Sequence, residues 1–361
     1  MQSPSAPHTY FKIHNLDEAR RDFLQSPAEY PTLVYRSTDH VALRAQIEAL
    51  EPGSRQRLSL ELVDASILLR ESPTEQHLAH FRAINQELYG EPDRIYAEAI
   101  LGRAIRKASG KYDDIAAYIS RAVPGVDAST DLYKPNSELF STLRGYLVRY
   151  CDFENMDTEK TLPELLEDAL QRSGLAERGW IVRLTDDAHH ASTVHHNKRI
   201  RIGKGYQPRT STRKRQIVTH EVYGHALRGQ QGDVSESEGF AVLLEQLVFD
   251  RYSSRRTYRF LAAALGWGSV DRPRNFIETY EILWRVIVSG GHYDKVDAKA
   301  HAFSECLRVF RGGQPDIPGA VFLKDSLYFK ANLAIWQRFE QSPPLYDEFV
   351  DFIEGKRKVL I

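Results

Sequence analysis

The run Thr219-His220-Glu221-Val222-Tyr223-Gly224-His225, followed thirteen residues after its second histidine by Glu238, limits what this chain can fold into more than any other stretch. Two neutral imidazoles and one carboxylate fill three corners of a Zn²⁺ tetrahedron and leave the fourth for water. The fold must then bring two consecutive helical segments within a few ångströms of one ion. Glu221, next to the first histidine, would be placed to take a proton from that water and pass it to a departing amine.

The spacing has a mechanical consequence. Histidines at i and i+5 sit about 140° apart on a helix of 3.6 residues per turn, too far for one ion. A single π-type turn closes the gap, and such turns occur chiefly at functional sites. The spacing therefore predicts a helix bulged between 220 and 225, with Gly224 as the residue best able to tolerate irregular backbone. A blander reading makes His220 and His225 unrelated residues of a partly buried helix. The Glu238-Gly239 step that opens the next apolar segment argues for the metal.

With 361 residues, 42% of them hydrophobic, the chain can bury one large core or two ordinary ones. Its 48 basic and 49 acidic residues nearly cancel, so no global field calls for nucleic acid or a membrane. Two cysteines, Cys151 and Cys306, lie far apart and read as buried free thiols, which excludes a disulfide scaffold and a thiolate metal site. No signal peptide and no membrane-length apolar run is present, so a cytoplasmic protein is expected.

Residues 1–30 read as a loosely held arm, 31–155 as a helical N-terminal region, and 156–361 as the catalytic domain, expected to form one compact unit with 31–155. Leu58, Leu62, Ala65, Ile67 and Leu68, then Leu78, Phe81, Ile84 and Leu88 before Gly90, predict an antiparallel helix pair over 54–90. Thr161 as cap, Pro163, a stripe of Leu162, Leu165, Leu166, Ala169 and Leu170, and Gly174 as terminator delimit a further helix. Between it and the histidines, Trp180-Ile181-Val182-Arg183-Leu184 and Lys198-Arg199-Ile200-Arg201-Ile202 read as short strands. The expected class is α+β, mainly helical, with a small sheet beside the HExxxH helix, as in zincin metallopeptidases. Residues 198–202 are the candidate edge strand for pairing with an extended substrate.

Several stretches resemble the tubulin tyrosine carboxypeptidase (MATCAP-type) family and its bacterial QEGLA-motif relatives. The helix with His220, Glu221 and His225 is one, and Ser237-Glu238-Gly239-Phe240-Ala241 is the counterpart of QEGLA. Leu88-Tyr89-Gly90-Glu91-Pro92-Asp93, Arg308-Val309-Phe310-Arg311-Gly312-Gly313 and Phe322-Leu323-Lys324-Asp325-Ser326-Leu327-Tyr328 extend the match over roughly 40–340. The resemblance implies a carboxypeptidase using one Zn²⁺ held by His220, His225 and Glu238, with Glu221 as catalytic base. Its eukaryotic members remove a terminal tyrosine from the acidic tail of tubulin.

An exopeptidase acting at a C-terminus needs a fixed cation for the terminal carboxylate. Arg311 and Lys324 are the candidates, against a structural ion pair with Asp325, and Tyr328 is a candidate oxyanion donor against core packing. Eight Lys or Arg residues and no acid lie between 198 and 215. They read as a solvated basic face, or as a surface attracting acidic peptides; poor aromatic interleaving speaks against nucleic acid. His189-His190 and His195-His196 read as loop residues between the two strands. The expected activity is metal-dependent trimming of acidic or aromatic-ended peptide or protein C-termini. The alternatives are hydrolysis of a small peptide-like amide and a non-catalytic, zinc-stabilised binding protein.

Overall fold

A computed structural model describes residues 54–157, 159–186, 191–208, 210–229, 234–250, 252 and 256–359. The arm expected over 1–30, residues 31–53 and the His189-His190 pair lie outside the described residues. The chain forms two units that interleave in sequence: residues up to Tyr133 with Arg255–Leu327, and Lys134–Ser254 with Tyr328–Ile361.

The regular elements of the first unit, among its described residues, are all helices. Helices α1 (Ser54–Glu71) and α2 (Glu75–Tyr89) pair as the 54–90 periodicity predicts, and α3 (Arg94–Ala108) and α4 (Asp113–Ala122) follow. The buried stripe of α1 is Leu62, Val63, Ala65, Ser66 and Leu69, while Leu68 faces outward at 42% exposure. The face is thus rotated from the one read in sequence, because Ser59 and Ser66 are small enough to be buried, and Ser66 satisfies its hydroxyl on the Val63 carbonyl. Later in the chain come α9 (Arg256–Trp267), α10 (Phe276–Ser289) and α11 (Lys295–Phe310), packed mutually around Phe276, whose ring meets Phe303 and Phe310 edge-on at 5.7 and 5.5 Å.

The second unit holds α5 (Ser137–Cys151), α6 (Leu162–Arg172), a three-stranded sheet, α7 (Ser211–Val218), α8 (Val234–Phe249), the greater part of α12 (Lys324–Gln341) and α13 (Tyr346–Ile353). Helix α6 matches its sequence signals: the Thr161 backbone N–H donates to Glu164, the five predicted apolar residues are all buried, and Gly174 takes φ +67° just past the end. Both cysteines are buried free thiols.

The sheet departs from expectation in two ways. A third strand, β2 (Ala191–Val194), occupies what reads in sequence as loop, and the order is β1 (Ile181–Thr185), β3 (Arg199–Gly203), β2. Strand β3 is therefore central, parallel to β1 and antiparallel to β2, and 199–203 is not an edge. The burial follows: Ile200 and Ile202 are buried, whereas Ile181 and Leu184 of β1 are half exposed. The antiparallel edge is β2, whose Ala191 and Thr193 point inward toward the histidine helix.

That helix continues α7 without a break and turns π over Thr219–Ala226, the bulge that the i, i+5 spacing demands. A Leu227 N–H to Val222 carbonyl bond of 2.8 Å is one of its i→i−5 contacts. Gly224 is required here for room, not for an unusual dihedral: a Cβ on it would lie 2.6 Å from the Ala241 Cβ. Gly239 does the same against α12, where a Cβ would sit 2.7 Å from the Ala331 carbonyl carbon. These two glycines let α8 press closely on the π-helix and on α12. We expect Gly224→Ala to destabilise the protein by about 1–3 kcal/mol through overpacking. Gly145→Ala, at an exposed mid-helix position of α5 with open space around it, should stabilise by about 0.5–1 kcal/mol; thermal unfolding of both variants checks the pair.

Candidate metal centre

The π turn carries His220 and His225 onto one side, their rings 4.7 Å apart and nearly perpendicular. Glu238, in the second turn of α8, faces them. The His220 Nε2 and His225 Nε2 atoms are 3.1 Å apart, and Glu238 Oε2 is 3.5 Å from His225 Nε2 and 3.9 Å from His220 Nε2. Among the described residues no other three His, Cys, Asp or Glu side chains group in this way.

These spacings suit a metal. A tetrahedral ion about 2.0–2.1 Å from each donor requires donor–donor edges of about 3.3–3.4 Å, which the three observed edges bracket. The outer ring atoms support the same conclusion. His220 Nδ1 is 2.9 Å from Glu245 Oε1, and His225 Nδ1 is 3.1 Å from Ser237 Oγ. With both rings protonated at Nδ1, two Nε2 lone pairs face each other at 3.1 Å, an arrangement that repels unless a cation lies between them; the His220 Nδ1 contact to Glu245 is close but not aligned as a hydrogen bond. Burial pushes the His225 imidazole below its ordinary pKa despite the opposing pull of Glu238, which keeps the ring in its metal-ligating neutral form.

Glu221 is buried next to the donors, and its carboxylate is held from the sheet: Thr193 Oγ1 lies 2.8 Å from Glu221 Oε2 and 3.0 Å from the Glu221 carbonyl oxygen. With Oε2 engaged, Oε1 is the oxygen left to accept a proton. The connection between the two donor segments is fastened by Arg228. Its guanidinium reaches Glu236 at 3.1 Å and the Phe352 carbonyl, and stacks over Phe240 at 4.6 Å, while the Val359 N–H donates to Glu236 at 2.6 Å.

Three of these partners escaped the sequence reading. Glu245 had a signal, since it follows Glu238 by seven residues and so shares its helix face. Thr193 had none, because only the packing of β2 on the π-helix brings it to Glu221. Ser237 adjoins Glu238 but carries no pattern of its own.

The remaining candidates are placed as follows. Arg311 and Lys324 belong to the first unit and are buried, with Arg311 Nη2 3.0 Å from Asp325 Oδ2. Tyr328 lies on α12 in the second unit, partly exposed. Of the basic stretch, Lys198, Lys214 and Arg215 bond main-chain carbonyls of Arg178, Lys160 and Glu154, and Lys204 pairs with Asp186 at 2.9 Å, so much of it ties the unit together; Arg209 lies outside the described residues. His195 packs edge-on against Trp180 at 5.5 Å.

Replacing Glu245 with Gln keeps its size but removes the charge behind His220. Zinc affinity should fall about 10–100-fold, read by competition with a chelating dye; unchanged affinity would show that Glu245 does not support the ring.

No curated protein and no solved structure matches the chain. The family model described as microtubule-associated tyrosine carboxypeptidase matches residues 154–356, more than half of the sequence, and takes in both donor segments and Glu221. The chain therefore belongs to the microtubule-associated tyrosine carboxypeptidase family.

Proposed function

We propose that the second unit carries a zincin-type active site and that the protein is a zinc-dependent carboxypeptidase trimming acidic or aromatic-ended peptides or proteins. Membership of a carboxypeptidase family makes it a peptidase-type enzyme with a peptide or protein substrate. The observation that carries the metal reading is the triangle of His220, His225 and Glu238 with Glu221 buried beside it. Three protein donors suit a catalytic ion with an open position, whereas structural zinc sites are closed by four. Among the described residues no helix is long and apolar enough to cross a membrane.

A divalent ion held there would polarise the scissile carbonyl and acidify a water. Within this chain, Glu221 Oε1 would take a proton from the attacking water and pass it to the leaving nitrogen, while Thr193 holds Oε2 in place so that one oxygen can do both. Glu245 and Ser237 keep the two rings turned with Nε2 inward. Strand β2, the antiparallel edge next to the π-helix, takes over the substrate-pairing role first assigned to 198–202.

Glu221→Gln should bind one equivalent of zinc with near-normal affinity and hydrolyse peptides about 10²–10⁴-fold more slowly; retained turnover removes this mechanism. Products read by mass on a peptide mixture should form ladders short by single C-terminal residues, and internal cuts would overturn the exopeptidase part. Stripping the metal should leave far-ultraviolet circular dichroism unchanged while abolishing activity. Unfolding on chelation would instead make the ion structural.

A further inference from the structure

The first unit contains a second cluster of ionisable groups that the metal chemistry does not use. Among the described residues Arg259 on α9, Glu305 and Arg308 on α11, Arg311 at the end of α11 and Asp325 at the start of α12 lie together, three arginines against two carboxylates, with Lys324 next to Asp325.

Two arginines account for the carboxylates. Arg259 bridges Glu305, Nε to Oε2 at 2.6 Å and Nη2 to Oε1 at 3.4 Å, and Asp325, Nη1 to Oδ1 at 3.1 Å. Arg311 Nη2 takes the other Asp325 oxygen at 3.0 Å. All four carboxylate oxygens are then engaged, and Arg308 is left over. Asp325 Oδ1 is 3.9 Å from its Nη2, beyond hydrogen-bond reach, and its Nε is buried without a hydrogen-bond partner among the described residues. The side chain is nevertheless 35% exposed, so a solute can reach it.

Arg311 Nε is likewise buried without a hydrogen bond among the described residues, whereas His301 Nε2 lies 3.4 Å from Glu305 Oε1 and supports that carboxylate. His301, Glu305 and Arg308 are spaced i, i+4, i+7 and so share one face of α11. Tyr258 and Tyr293 pack edge-on or tilted against the His301 ring at 5.6 and 5.1 Å, fixing its plane.

The electrostatics agree with the geometry. Burial works against ionisation of Glu305, but Arg259 outweighs it and holds the carboxyl at about 2. Asp325 is likewise kept well below its ordinary value against burial by Arg259, Arg311, Arg308 and Lys324. Both acids are therefore fully charged, and the surplus remains positive. Burial, then repulsion from Arg259 and Arg311, pushes Arg308 down to about 10. A cation excess that water reaches only in part is costly unless an anion joins it.

We propose that this cluster is an oxyanion-binding site, with the Arg308 guanidinium as its donor, for a carboxylate or phosphate group. Arginine's planar fork suits both chemistries, and either charge would offset the excess. The site stands on the first unit alone, so it holds whether or not the peptidase reading does. Only the case in which the anion is a peptide's terminal carboxylate rests on that reading.

The test uses the full chain, zinc-loaded, at fixed ionic strength. Inorganic phosphate should raise the wild-type unfolding temperature in a saturable way, with chloride far less effective. Arg308→Gln should weaken phosphate binding at least tenfold while unfolding no earlier than wild type in anion-free buffer, because the substitution relieves repulsion. A phosphate effect that is absent in wild type, or equal in Arg308→Gln as binding at the metal would make it, overturns the site. A lower unfolding temperature for Arg308→Gln without anion, together with no phosphate effect, would make Arg308 a structural ion-pair member instead. The source is separated with Glu221→Gln protein and two peptides that differ only in a free or amidated C-terminus. Displacement of phosphate by the free acid alone assigns the site to a peptide end; displacement by neither assigns it to a free anion.

Discussion

Two ring nitrogens held 3.1 Å apart on one helix are the constraint around which the second unit is arranged. An α-helix with histidines at i and i+5 cannot supply that spacing, so the backbone goes over to i→i+5 bonding for about two turns. The π segment is wider than the helix it continues, and its neighbours must give way. Gly224 does so by leaving room for Ala241, and Gly239 lets α8 sit against α12 at Ala331. Glu238 reaches the histidines because α8 can approach this closely.

A layer of polar contacts keeps the donors aimed. Each histidine presents Nε2 to the centre while its other ring nitrogen meets Glu245 or Ser237, and Glu221 is held by a hydroxyl from the sheet edge. The buried Arg228–Glu236 pair, capped by the Phe352 carbonyl and the Val359 amide, fastens the connection between the two donor segments to the C-terminal part of the chain. In the Arg228–Glu236 pair each charge meets its complement. In the cluster around Asp325 in the first unit, three arginines face two carboxylates, and Arg308 is the one without a hydrogen bond to either. A matched pair in one place and a surplus in the other separate a fastening contact from a site that asks for a ligand.

Local signals were readable wherever a single segment decides its own conformation. The cap, first-turn proline and terminating glycine of α6 specify that helix almost residue by residue, and the 54–90 pair follows from its apolar period. The strand order did not follow. Four residues of β2, Ala-Ser-Thr-Val, carry too short a pattern to distinguish strand from loop, and without β2 the neighbouring β3 looks like an edge. The rotation of the buried face of α1 has a similar origin, since whether a serine goes inside depends on what packs over it.

Sequence by itself determined the chemistry on offer: two imidazoles and a carboxylate at spacings that demand a π turn and a glutamate beside them, all within the stretch that the family model matches. Spacing along one helix is enough for that, because helical geometry converts residue number into direction. Tertiary structure alone decided that Thr193 and the Glu221 carboxylate meet, that Arg311 pairs with Asp325, and that Arg308 is left as the surplus cation. Those outcomes depend on distances between segments remote in the chain, which no local periodicity encodes.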